Sequence, residues 1–136
     1  MNEAHLRQSI AETFAASKTL TTLTGKAQPV VRWGDRGMND RPIITYFVPS
    51  SRIRRGTKDG FVFTTQFDVW VEPDSTGTEE AIADEIEAVF THSNLNSTAR
   101  TYPVDAAPYL RQRREVPEMD EGRRRLLMEF ECWMNR

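Results

Sequence analysis

The sequence predicts an α+β domain in which a mainly antiparallel sheet of about five strands carries two helices on one face. Three observations lead there: two segments with apolar residues at helical spacing, several runs with apolar residues at alternate positions, and the grouping of those runs on either side of the second helix. The length agrees. A chain of 136 residues, 38% of them hydrophobic, suits one domain spanning 1–136, with enough core to need neither disulfides nor a metal.

Leu6, Ile10 and Phe14 recur four apart, with Ala4, Ala11 and Ala15 nearby, while Glu3, Arg7 and Glu12 point elsewhere. That spacing predicts a helix of about four turns ending near Ser17. In the KTLTTLTG stretch that follows, Leu20 and Leu23 prolong the apolar contact until Gly25 and Pro29 interrupt it. Val30, Val31 and Trp33 predict a short strand, GDRGMNDRP a long turn, and IITYFVPSSR a second strand rich in β-branched and aromatic residues. RIRRGTKDG reads as the hairpin connection to the clearest strand, FVFTTQFDVWVE. There Phe61, Phe63, Thr65, Phe67, Val69 and Val71 form a core face, and Val62, Thr64, Gln66, Asp68, Trp70 and Glu72 a mixed face toward solvent or a partner.

PDSTGT supplies cap candidates for a second helix, from Thr78 to about His92, with Ile82, Ile86, Val89 and Phe90 on one stripe. Glu79 and Glu80 suit the positive end of its dipole. A polar loop then leads to a strand near Tyr109 to Val116, a turn (PEMDEG), and a final strand with Leu126, Met128, Phe130, Cys132 and Met134 on one face. The predicted order is α-β-β-β-α-β-β.

Composition excludes several classes. Eighteen basic against 20 acidic side chains give a net charge of -2, which argues against a surface built wholly to grip nucleic acid. The single cysteine, Cys132, rules out an internal disulfide and leaves zinc without a second thiolate. No apolar run approaches the roughly 18 residues of a membrane span, and MNEAHLRQSI is too polar for a signal peptide. The expectation is a cytosolic chain, neither inserted nor exported.

Catalysis finds no support. His5 and His92 are placed on the polar side or end of helices, with no Cys or second His at ligand spacing, so no metal, cofactor or catalytic residue is expected. Glu79, Glu80, Asp84, Glu85 and Glu87 read as a solvated helix face rather than an acid and base pair. The GDRG segment at 34–37 resembles a phosphate-clamping GxxG loop, but strands rather than helices flank it. The Asn96-Ser97-Thr98 sequon lacks a secretion signal. Cys132 reads as a small buried hydrophobe.

Charge segregation is the informative feature. Residues 73–99 hold six acidic side chains and no Lys or Arg; residues 111–125 hold six arginines (Arg111, Arg113, Arg114, Arg123, Arg124, Arg125) against four acids. Such patches are solvated or pair within one subunit, or they join different surfaces of neighbouring subunits head to tail, or they hold phosphates as a nucleic-acid-binding module would. In the head-to-tail reading Arg113, Arg123 and Arg125 pair with Glu80, Asp84 or Glu87 of a neighbour. Trp70 and Trp133 both point away from the helix-covered core, either covered by their own chain or anchoring the same contact.

The order and spacing of several segments resemble one family. They are a helix running into TLTTLTG, a Pro-led strand RPIITYF, the strand FTTQFDVWV followed at once by EEAIADEIEAVF, and a DEGR turn before RRRLLMEFE. In this the chain is similar to the tail-completion, or tail-terminator, proteins of long-tailed bacteriophages. The resemblance implies a non-enzymatic virion protein assembled in the host cytoplasm. Its subunits would form a homo-hexameric ring at the end of the tail tube, stop tube growth and dock the head. The implied partners are further copies of itself, the tail tube protein and a head-completion or neck protein, with DNA only passing through the lumen and no membrane. Arg52, Arg54, Arg55 and Lys58 of the hairpin are then expected to meet tube or head. Another connector or neck component is the nearest alternative.

Overall fold

Leu6, Ile10 and Phe14, the residues that define the first apolar stripe, are fully buried on helix α1 (Glu3–Ala15). They belong to a computed structural model that describes residues 3–32, 42–54, 60–72, 77–92, 104–116 and 124–135. The Leu/Thr stretch is itself helical, as α2 (Lys18–Thr24). This corrects the expectation of two helices to three. Ser17 caps α2, its hydroxyl accepting from Leu20 N at 3.2 Å, and Gly25 ends it in the left-handed region at φ 68°. Both are standard helix-end devices. Leu20 is fully buried in the core, so the short helix adds to the same apolar layer.

Five strands follow the helical lead: β1 (Val30–Arg32), β2 (Ile43–Arg54), β3 (Gly60–Val71), β4 (Val104–Val116) and β5 (Arg124–Asn135), with helix α3 (Thr78–Thr91) between β3 and β4. They form one sheet in the order β1-β2-β3-β5-β4. All pairings are antiparallel except the short β1, which runs parallel to β2. The α+β architecture is as predicted. Two boundaries differ. The β2–β3 ladder continues past Arg52 to Arg54 and Gly60, so Ile53 and Arg54 belong to the strand rather than to a connection. β4 begins at Val104, because the VDAAP segment pairs with β5 through register shifts. Trp33 lies outside the described residues.

The core sits between the helices and one sheet face. Phe63, Thr65, Phe67, Val69 and Val71 of β3 are all buried, as alternation requires. Four rings tie the layers together: Phe14 of α1, Phe67 of β3, Phe90 of α3 and Phe130 of β5. Phe67 meets Phe14, Phe90 and Phe130 edge-on, with centroids at 5.2, 5.1 and 5.7 Å, the arrangement that ring quadrupoles favour. Each such buried ring stabilises the fold by about 2–3 kcal/mol through desolvation alone.

Two side chains expected in solvent are buried. His5 is 8% exposed and Glu79 4% exposed. The residues flanking each on its helix follow the helical period closely. The width of the buried stripe, which depends on what packs beside it, takes in these two as well.

Candidate assembly surfaces

The mixed face of β3 lies on the side of the sheet away from the helical core. On it Ile43, Thr45, Asp68 and Trp70 are at most 3% exposed. The expectation that this face meets solvent is therefore corrected over this half. A local polar network runs through this half. Trp70 Nε1 donates to Thr45 Oγ1 at 3.0 Å, and the Arg125 guanidinium lies 5.1 Å from the Trp70 ring centroid. Arg125 also pairs with Asp68 at 3.6 Å, and Gln66 Nε2 donates to both Asp68 oxygens at 3.3 and 3.0 Å. Register explains the grouping: Trp70 lies opposite Arg125 on β5 and opposite Ile43 on β2. Within one chain Trp70 is 3% exposed. A depression of about 420 Å³ beside the network is lined by Arg32, Phe47, Gln66, Asp68 and Arg125.

The other half of this face centres on Glu131, itself 6% exposed. Its carboxylate accepts from Arg111 Nη1 at 3.0 Å and from Trp133 Nε1, and Arg111 lies 3.9 Å from Glu129. Tyr109, opposite Glu131 in the β4–β5 ladder, is 45% exposed. Its phenol is held above the ordinary tyrosine range, first by the hydrogen bond to Glu131, then by desolvation and by the Glu131 charge. Trp133 is half-buried here, on the face where alternation predicts it. The sequence signal for this cluster was the shared face of residues 129, 131 and 133; β4 brought Tyr109 and Arg111 to it through a bulge.

Arg113 does meet Asp84, at 2.7 Å, and reaches the Glu80 carbonyl at 3.4 Å, but both contacts lie within one subunit. Arg111, Arg113 and Arg125 therefore all have intrachain carboxylate partners. These pairs lie within one chain, and the expectation that Arg113 and Arg125 also meet a neighbour belongs to the assembly proposed below. Burial of one partner favours the intrachain pairs of Arg111 and Arg125, since a buried carboxylate is costly without a counter-charge. A phosphate would have to compete with the same carboxylates, which weighs against the nucleic-acid reading. Glu80 remains exposed and Glu87 half-buried on α3, while Glu85 accepts from the Ser17 hydroxyl at 3.3 Å. Arg55, Lys58, Arg123, the GDRG segment and the sequon lie outside the described residues.

His92 caps the C-terminal end of α3, its Nδ1 2.6 Å from the Ala88 carbonyl oxygen. Cys132 is buried, its sulfur 3.9 Å from Thr65 Oγ1, and burial pushes its thiol up to about 12. Among the described residues no three His, Cys, Asp or Glu side chains are grouped to hold a metal ion. Among the same residues no helix is long and apolar enough to cross a membrane.

No family model matches the sequence, and no curated protein matches it. Among solved structures the chain is similar to one described as "Virion of native gene transfer agent (GTA) particle". The two share a TM-score of 0.74 and 12% sequence identity, over 96% of this chain and 94% of that one. The likeness establishes a shared fold: the chain has the architecture of a protein from a virion particle.

Proposed function

We propose that the protein is a structural virion component of the tail-terminator type: a ring of identical subunits at the end of a tail tube that stops tube growth and forms the docking surface for the head or neck. The observation that carries this reading is the fold likeness to a virion chain over nearly the full length of both molecules. The order of segments from TLTTLTG to RRRLLMEFE points the same way. In this reading Glu80, Glu87, Arg113, Arg123, Arg125 and Trp133 contribute to contacts between subunits, and Arg113 and Asp84 also act together as a strut between β4 and α3. Arg52, Arg54, Arg55 and Lys58 face the tube or the head, and DNA passes through the lumen.

Mass spectrometry of purified particles tests the reading, together with electron microscopy of particles made without the gene. The chain is expected in the particle at low copy number, and its loss should give tails of irregular length that do not join heads. A chain absent from particles, or tails of normal length without it, would overturn the assignment.

A further inference from the structure

Helix α3 and the β1 edge of the subunit carry opposite charge, although β4 itself holds Arg111, Arg113 and Arg114. The sheet order puts β1 at one edge and β4 at the other. Helix α1 packs against β1, whereas α3 lies over β3, β5 and β4. Helix α3 holds five acidic residues and no basic one, with Glu80 exposed and Glu87 half-buried. At the β1 edge a groove of about 370 Å³ between α1 and β1 is lined in part by Arg7, Gln8, Gln28 and Arg32, with no acidic side chain among its described lining residues. Arg32, exposed at the end of β1, also lines the depression beside Arg125 on the other sheet face. Arg7 and Arg32 therefore form a cationic saddle at the β1 edge, while Arg125, further in on β5, is already paired with Asp68.

We infer that this saddle receives the α3 face of a second copy of the chain, with Arg7 and Arg32 meeting Glu80 and Glu87 of the neighbour. The argument is charge complementarity between two different surfaces of one molecule. A contact of that kind is heterologous, so each subunit keeps one surface of each sign for its next neighbour. The β4 edge does not pair as a strand in this arrangement: its ladder to β5 is broken by repeated register shifts, it contains Pro108, and Arg111, Arg113 and Arg114 follow. These are features that discourage edge-to-edge strand addition. The inference rests on the ring reading for its biological setting, but the contact itself is measurable on the purified chain.

Sedimentation velocity is run at low salt, up to about 1 mM chain, a range that reaches weak contacts. Three samples are compared: the wild type, the double variant R7E/R32E, and the double variant E80K/E87K. The wild type should self-associate, and each folded variant alone should do so at least about tenfold more weakly, since like charges then face each other. An equimolar mixture should regain assembly, because each surface again finds its opposite. A monomeric wild type, a variant that assembles normally, or a mixture that is not restored while the wild type assembles each overturns the contact. So does a wild type that binds duplex DNA through Arg7 and Arg32 without self-associating. None of these results removes the virion assignment, which stands or falls on particle composition.

Discussion

Cys132 shows how far one position can be argued. Its thiol is buried 3.9 Å from the Thr65 hydroxyl and displaced upward from an ordinary 9.0 to about 12. The native protein should therefore resist a thiol reagent at neutral pH and react only on unfolding. Linkage gives a second outcome. The pKa is raised by folding, so the stability associated with it is intact below about pH 9 and is lost as pH rises toward the folded value. Thermal melts between about pH 8 and pH 10.5 should show a steeper alkaline decline for the wild type than for Cys132→Ala, although the variant starts lower because it leaves a small cavity. Equal slopes would contradict the assignment. The same scale shows why some of the site was not legible. Trp70 and Asp68 sit at polar-face positions of a strand, and only the register with β2 and β5 reveals Thr45 and Arg125 waiting opposite them. Alternation says which way a side chain points and not what covers it.

The helices and strands were legible where the pattern was long. α3, with its stripe of Ile82, Ile86 and Phe90, ends within one residue of where its periodicity stops. β3 follows its alternation on the core face from Phe63 to Val71, but Asp68 and Trp70 on the other face are buried too. α2 was not anticipated, since seven residues with four threonines carry little helical propensity. It exists because its ends are fixed. Ser17 caps it and reaches Glu85 on α3, and Gly25 supplies the left-handed residue at the other end. Ser17→Ala should cost about 1 kcal/mol, as cap deletions generally do. Gly25→Ala should cost a comparable amount, about 1 kcal/mol, for its positive φ. Nothing lies within 4 Å of a Cβ placed at Gly25, so backbone strain rather than crowding would be the cause. Denaturant midpoints measure both, and an unchanged midpoint for either variant would remove that cap from the account.

At the scale of the whole molecule, the balance of 18 basic and 20 acidic side chains resolves into two levels. Three arginines of the late strands, Arg111, Arg113 and Arg125, pair inside the subunit with Asp68, Asp84, Glu129 and Glu131. What remains is a difference between α3 and the β1 edge, which linear charge counting missed because Arg7 and Arg32 are isolated in sequence and adjacent only through the packing of α1 on β1. The sheet order has a further implication. β5 lies between β3 and β4, so it supplies one side of the ladder to each. A chain ended after Arg123 should therefore show no cooperative thermal transition, because β4 has lost the strand it pairs with among the described residues and Phe130 is gone from the ring cluster. A sharp transition in that chain would mean that β1, β2 and β3 fold alone with the helices.

That placement also orders events during synthesis. A ribosome makes β3, α3 and β4 before β5, so for that interval the nascent sheet is split, with β4 unattached and the inner edge of β3 bare. The subunit's two charged surfaces are not held in fixed relation until the fifth strand slots into the sheet. In the assembly proposed above, a half-made chain would offer a neighbour no fixed pair of surfaces.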